Sequence, residues 1–413
     1  MMPMSTVEDE SGMGAGPVTG ALAGLKVVEF AHVIAGPLAG TLMADLGATV
    51  VHVEDPKHGD PQRYAGPARD GHHLWWKVAA RNKRSVTLNL RTEAGQAVAR
   101  ELASWADVVI TNFRVETLEK WGLDYASIHE LNPTAVVLSV SGYGTIGSRR
   151  NEPGFGKVGE AMSGVVHLTG FPDGPPVHTG FSHGDSVTGL MGAYAVQAAL
   201  YRKASDPDFD GEWIDLALYE GLFRLIEWQV IFYDQLGRVP ERAGNKLAAA
   251  PAAVINTFKT ADDQWITVTS GTPKSVIKVA ELVGESVELY ATPDEQVARA
   301  EHLESLVREW ISARPLEECL RVMRELEVVA SGVYSVQDML DDDTYRERDS
   351  IITVEDPDLG SVRMQGVIPR LVNHPGTVWR SAPTLGQDND AIYCDVLHKS
   401  PSELEVMRAE GTI

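Results

Sequence analysis

The chain has 413 residues and a formal net charge of −22, from 36 basic and 58 acidic side chains, with 44% of its residues hydrophobic. That length supports two or three domains around a sizeable core, and the charge argues against nucleic acid or an anionic membrane as partner. Only two cysteines occur, Cys319 and Cys394, with no CxxC or Cys/His cluster, which argues against a disulfide framework or cysteine-based zinc site and fits a reducing compartment.

Residues 1–20 are acidic and rich in Gly, Ser and Met, with neither the basic start nor the apolar core of a signal peptide. They read as a disordered tail on a cytoplasmic protein. No apolar run approaches the ~18 residues of a membrane span. Residues 21–237 then alternate strands with helices. Strands are expected at Leu25–Phe30, Ala48–Glu54, Ser85–Leu90, Val108–Thr111, Ala135–Val140 and Trp213–Leu218. Helices are expected from Gly36 to Leu46, from Glu93 to Trp105 and from Thr117 to Trp121. This pattern predicts a mostly parallel sheet in a Rossmann-like α/β domain. The first βα turn, Phe30-Ala-His-Val-Ile-Ala-Gly-Pro37, has a single glycine and no GxGxxG, which speaks against a dinucleotide. No P-loop is present.

His178-Thr-Gly-Phe-Ser-His-Gly-Asp-Ser-Val-Thr-Gly189 leads into a helix rich in small residues. Asp185 is expected at its N-cap, where free N–H groups and the helix dipole would keep the carboxylate ionised. A carboxylate so placed is a structural cap or a nucleophile. Tyr219 to Gly237 reads as one long apolar helix, and residues 238–252 as a linker. Residues 253–334 form a small α+β domain opened by a hairpin, Val254–Lys259 with Trp265–Thr269, and continued by helices. Residues 335–413 are a return segment ending in a helix whose capping box is Ser400-Pro-Ser-Glu403, expected to pack on the large domain. No GxSxG elbow or HExxH helix occurs, and the twelve histidines form no ligand-like spacing, so no metal site is indicated.

An ordered set of short motifs carries a family resemblance. It comprises Gly24-Leu-Lys-Val-Val-Glu-Phe-Ala-His-Val-Ile-Ala-Gly-Pro37, Leu46-Gly-Ala-Thr-Val-Val-His-Val-Glu54, Asn82-Lys-Arg-Ser85, Ile110-Thr-Asn-Phe113, Leu131-Asn-Pro133, Ser141-Gly-Tyr-Gly144, Ala161-Met-Ser-Gly164 and Gly184-Asp-Ser186. Over residues 21–390 the chain resembles the class III CoA-transferases, the formyl-CoA:oxalate and carnitine CoA-transferase family. The resemblance implies an interlocked homodimer that exchanges CoA between an acyl-CoA and a free organic acid, with no tightly bound cofactor. It makes Asp185 the catalytic residue, passing through an aspartyl anhydride and an aspartyl-CoA thioester. It places CoA against His32, Val33, Ala35, Leu88, Arg91, Asn112, Phe113 and Lys120, with Arg91 and Lys120 facing the phosphates. Glu160 falls near the same site.

Three departures qualify what the resemblance implies. Ile34 stands where some relatives have a glutamine, so the oxyanion arrangement must differ or rely on the main chain. Phe155-Gly156 replaces the tyrosine-acid pair of formyl-CoA transferases, and Thr269-Ser-Gly-Thr-Pro273 replaces their long Gly-rich loop, which disfavours oxalate. An α-methylacyl-CoA racemase of the same fold would need a His-Asp pair at 155–156, where this chain has Phe and Gly. The transferase reading is therefore preferred to a racemase or to a non-catalytic acyl-CoA-binding protein.

Overall fold

The computed structural model describes residues 19–247 and 249–413, so residues 1–18 of the expected tail lie outside the described residues. Contacts divide the chain into two compact units: one of residues 19–165, 179–227 and 344–413, and one of residues 166–178 and 228–343. The stretch expected as a linker, 238–252, falls within the second unit, and the return segment joins the first from residue 344. Among the described residues no helix is long and apolar enough to cross a membrane.

The first unit is built on six parallel strands: β1 (Lys26–Phe30), β2 (Thr49–Glu54), β3 (Arg84–Thr87), β4 (Val108–Thr111), β5 (Val136–Ser141) and β6 (Glu212–Ala217). Their spatial order is β3-β2-β1-β4-β5-β6, the doubly wound order whose winding reverses between β1 and β4. Open sheets of this kind take ligands outside the carboxyl ends of the strands at that reversal. His32 follows β1 and Asn112 follows β4, so both stand there.

Strand residues alternate between two cores. Val28, Phe30, Val51, Val53 and Val86 meet the helix Glu93–Trp105, together with Ile392, Tyr393 and Leu404 from the C-terminal segment. Val27, Val50, Val108, Ile110, Val136 and Leu138 face the opposite way, toward α1 (Ala35–Asp45) and the long helix that carries Asp185. Small residues let that long helix approach closely. A Cβ on Gly189 would lie 2.8 Å from the Ala35 carbonyl oxygen, and one on Gly192 would lie 2.9 Å from Leu138 Cδ2.

Two expectations about helices need correction. The apolar stretch Tyr219 to Gly237 is two helices, Glu220–Leu225 and Gln229–Leu236, because Glu227 between them turns into the left-handed region at φ 54°. The segment after β5 carries an additional helix, α2 (Gly156–Met162). In the second unit the hairpin gains a third antiparallel strand, Ala330–Gly332, beside Trp265–Thr269. Three helices, Pro273–Leu282, Pro293–Ser312 and Leu316–Glu325, close its core over Phe258, Ile266 and Val268.

Charge is buried beneath α1. Lys83 Nζ lies 2.9 Å from each Glu29 carboxylate oxygen and donates to the Pro37 carbonyl at 2.6 Å. Gly40 makes room for this pair, since a Cβ there would sit 1.6 Å from Glu29 Oε1. Alanine is normally the better helix former by ~1 kcal/mol. Here Gly40→Ala is expected to destabilise by about 2–4 kcal/mol, because the methyl displaces a buried carboxylate from its cationic neighbours. Urea unfolding measures this, and a variant as stable as the parent would contradict the packing.

Candidate active site

Two walls meet at the sheet's reversal. The first is the turn His32–Ile34 between β1 and α1. Asn112 clamps it from β4: its Oδ1 accepts the His32 N–H at 2.9 Å, and its Nδ2 donates to the His32 carbonyl at 2.7 Å. The His32 ring packs edge-on against Phe113, 4.7 Å between centroids, and Phe113 against Trp121 at 4.9 Å. Burial holds the His32 imidazole below its ordinary pKa. Val33 adopts φ 68°, rare for a β-branched residue. Its N–H lies 3.1 Å from both carboxylate oxygens of Asp60. The fold thus gathers His32, Val33, Ala35, Asn112 and Phe113 in one place.

Among the described residues the remaining predicted contacts share no hydrogen bond or ring contact with that cluster. The Leu88 side chain is buried in the core, and its N–H donates to the Glu54 carbonyl at 2.7 Å. Arg91 is exposed and hydrogen-bonded to Asp55, and Lys120 is exposed on the helix Val115–Trp121.

The second wall is the start of α3 (His183–Ser205). Asp185 is not its N-cap. Ser182 occupies that position, the Ser186 N–H already bonds the Ser182 carbonyl at 2.9 Å, and Asp185 is the third residue of the helix. The helix begins three residues earlier than expected because Gly184 is accommodated in its first turn, against α2. A Cβ on Gly184 would lie 2.7 Å from the Gly156 carbonyl oxygen, and a Cβ on Gly156 would lie 2.0 Å from Asp185 Oδ2. The Asp185 carboxylate therefore rests directly over the Cα of Gly156. Among the described residues it accepts no hydrogen bond. Phe155 and Gly156 bring no titratable group to it.

Beside it stands a buried carboxylate. Glu160, 1% exposed, accepts the Gly184 N–H through Oε1 at 3.1 Å. Lys157 Nζ reaches both Glu160 oxygens at 3.0 and 2.9 Å, and also the carbonyls of Thr179 at 3.1 Å and Phe181 at 3.0 Å. Burial, reinforced by the Glu160 charge, pushes Asp185 from 3.8 up to about 6 against the pull of Lys157. The carboxyl is thus harder to ionise than its place at a helix start alone would make it, because burial and a like charge outweigh the dipole. At pH 7 roughly nine in ten molecules still carry the anion.

Main-chain donors remain for a developing oxyanion. In the first turn of α3 the His183 N–H is taken by the Phe181 carbonyl and the Gly184 N–H by Glu160, so the Asp185 N–H is left. At the start of α1, the N–H groups of Ile34, Ala35 and Gly36 make no hydrogen bond among the described residues, as expected for a helix N-terminus. Ile34 supplies no amide side chain, but its backbone N–H is among these unbonded donors. A cavity of about 690 Å³ lies between this turn and α3, lined by Ile34, Leu38, Trp75, Phe181, Ser182 and Ser186 among others. Its volume suits a small ligand.

Lys157 and Asp60 belong to no motif that marks them in the sequence. Asp60 does stand before Pro61 as a capping signal, and its side chain accepts the Gln62 N–H at 2.7 Å. Its second role, holding Val33, joins residues 27 apart and shows only in the fold.

Comparison with known proteins shows the family. The model of CoA-transferase family III matches residues 22–389. The chain is 39% identical over 396 residues to a succinyl-CoA–D-citramalate CoA-transferase of Chloroflexus aurantiacus, covering 94% of this chain and 97% of that one. It is 32% identical to a succinate–glutarate CoA-transferase of Agrobacterium fabrum, covering 91% and 95%. Its structure is similar to the crystal structure of a CAIB/BAIF family protein from Brucella suis, with a TM-score of 0.79, 31% identity, and coverage of 91% and 99%. A chain matched along almost its whole length, with its predicted carboxylate and CoA-turn residues at one end of a doubly wound sheet, belongs to CoA-transferase family III and is a CoA-transferase.

Proposed function

We propose that this enzyme moves CoA between an acyl-CoA and a free carboxylic acid through two covalent states of Asp185. The carboxylate attacks the thioester carbonyl, expelling CoA thiolate and forming a mixed aspartyl anhydride. The thiolate then attacks the aspartyl carbonyl, releasing the donor acid and leaving an aspartyl-CoA thioester. An acceptor carboxylate attacks that thioester to form a second anhydride, and the thiolate takes its acyl group, freeing Asp185. The observation that carries this reading is a partly buried carboxylate that accepts no hydrogen bond among the described residues and lies against a glycine. It has a raised basicity and no competing hydrogen-bond partner, as covalent catalysis requires.

His32, Val33, Ala35, Asn112 and Phe113 hold CoA at the turn, Leu88 shapes the strand end beside it, and Arg91 and Lys120 meet the phosphates. Relatives named for succinyl-CoA support succinyl-CoA as donor with a small organic acid as acceptor. The direct test is incubation with succinyl-CoA followed by hydroxylamine and peptide mapping. Modification at Asp185 is the expected result, and an unmodified Asp185 peptide during turnover would refute the covalent route.

The acid limb of kcat/KM should fall at a pKa of about 6, because the nucleophile must be ionised. In Glu160→Gln the neighbouring negative charge is gone, the anion is easier to form, and the limb should move to lower pH. A pH–rate profile of both enzymes decides it; a limb that stays in place separates the profile from Asp185.

The protein acts as a homodimer in this reading. Leu190, Tyr194 and Tyr201 on α3 are 56%, 72% and 78% exposed, a large apolar presence on one helix that a second copy would cover. Light scattering after gel filtration should give twice the chain mass, and a monomer at micromolar concentration would count against it.

A further inference from the structure

The polar side chains beneath the first βα turn form one buried chain. Lys83 Nζ bonds Glu29, Glu29 Oε2 lies 2.7 Å from His52 Nδ1, His52 Nε2 lies 3.2 Å from Asp60 Oδ2, and Asp60 holds the Val33 N–H. All four side-chain-linked residues, Glu29, His52, Asp60 and Lys83, are at most 1% exposed. With a carboxylate on each ring nitrogen, both nitrogens of His52 donate and the ring is an imidazolium. Burial pulls its pKa down, but the bonds to Asp60 and Glu29 raise it to about 9. Burial likewise opposes the Asp60 charge, yet the His52 bond brings that carboxyl down to about 2. The chain is two cations and two anions, neutral in sum.

Such a chain is an expensive way to fill a core, since each buried ion loses its hydration before pairing offsets the loss. What an apolar core could not supply is the last link. Val33 sits in the left-handed region at φ 68°, where a β-branched side chain is strained. Its N–H is held by an acceptor that cannot itself move: Asp60 accepts from His52 on one side and from the Gln62 N–H at 2.7 Å, while its own N–H donates to Glu54 Oε2 at 2.9 Å. Glu54 in turn is fixed by Arg63 at 2.6 and 2.7 Å.

We propose that Asp60 is a positioning residue of the CoA site, a carboxylate steadied by His52 that holds the strained Val33 turn in the shape that receives acyl-CoA. This rests on the assignment of that turn to CoA. Asp60 hydrogen-bonds the turn and, among the described residues, not Asp185. Its effect therefore falls on binding and leaves the chemical step at Asp185 alone.

The test uses the full-length enzyme, with succinyl-CoA as donor and amide hydrogen exchange of the peptide spanning residues 31–36. Asp60→Ala should speed exchange there and raise KM for succinyl-CoA about 10–100-fold with kcat within about 3-fold. Glycine takes the left-handed conformation without strain, so adding Val33→Gly to Asp60→Ala should lower KM at least about 3-fold from its value in Asp60→Ala, the part of the loss due to strain, without reaching the parent because the Val33 contact with CoA is gone. A merely structural Asp60 would not be rescued in this way. Unchanged exchange, or a raised KM that Val33→Gly does not lower, overturns the proposal. Faster exchange with an unchanged KM shows a loosened turn that does not carry CoA, which removes that assignment and the proposal together. Absence of CoA exchange in the parent enzyme with every donor tried sinks the proposed reaction instead, and exchange at residues 31–36 still reports on Asp60. Should Asp60→Ala fail to fold, Asp60→Asn, which keeps one acceptor oxygen and loses the charge, is read by the same measurements with smaller changes.

Discussion

Asp185→Ala is expected to lower kcat for CoA exchange by roughly four to six orders of magnitude, the scale seen when a covalent nucleophile is removed, while CoA still binds at the turn. Asp185→Asn is expected to leave the enzyme equally inactive but more stable at neutral pH. The sign follows from burial. The folded protein holds the Asp185 proton up to a pKa of about 6, against 3.8 for the free side chain. Ionisation is therefore harder in the folded state. Below about pH 4 both states are protonated and no penalty exists; it grows as pH rises toward 6 and is complete above. Two pKa units set an upper bound of about 3 kcal/mol, and partial solvent contact reduces this to about 1–2 kcal/mol. Thermal unfolding should thus show the Asp185→Asn variant gaining a few degrees at pH 7.5 and nothing at pH 4. A variant that melts with the parent at both pH values would mean that the carboxylate is not held at a cost. Activity within tenfold of the parent in Asp185→Ala would end the proposed mechanism. The two readouts are independent, since the first concerns the resting fold and the second the reaction.

Much of the sheet is legible in the chain because strands buried on both faces appear as short apolar runs, as in Val108–Thr111 and Val136–Ser141. The helix Glu93–Trp105 begins and ends where expected because Thr92 caps it, accepting the Gly95 N–H at 3.1 Å. What escapes is set by distant partners. The strand Ala330–Gly332 forms only by pairing with residues some 60 positions earlier, and its three small residues carry no alternation. Residues 166–178 cluster with the second unit without any compositional mark. At the site, the identity of Asp185 can be reached from ordered motifs, but its charge state cannot. The raised pKa depends on Glu160, 25 residues away, and on how deeply a neighbouring helix buries the carboxyl. Glu29 and His52 stand out as charged residues inside apolar strands, an anomaly in a parallel sheet. Their partners Lys83 and Asp60 are brought to them by strand pairing and by the turn after β2, which no local pattern encodes.

Gly156→Ala should separate the position of the nucleophile from the stability of the fold. A methyl at residue 156 would lie 2.0 Å from Asp185 Oδ2 and 2.6 Å from its Cγ, so one of the two must move. The nearest contacts are all to the Asp185 carboxyl group, which can swing about its own χ angles, and none is to backbone. The helices keep their places and the nucleophile loses its own. A displacement of about 1 Å costs on the order of 100-fold in a reaction that depends on alignment. Gly156→Ala is thus expected to lower kcat about 100-fold, leave KM for acyl-CoA within about 2-fold, and shift the melting temperature by no more than about 2 °C. Gly184→Ala reverses the pattern. Its Cβ would meet the Gly156 carbonyl oxygen at 2.7 Å, and backbone inside two packed helices cannot swing away, so that variant should lose about 1–3 kcal/mol of stability as an overpacked contact. Steady-state kinetics beside thermal melts of the two variants give the comparison. Full activity in Gly156→Ala would show that the reacting carboxylate does not rest against residue 156, and equal destabilisation of both would mean that the α2–α3 contact, not the aim of Asp185, is what these glycines serve.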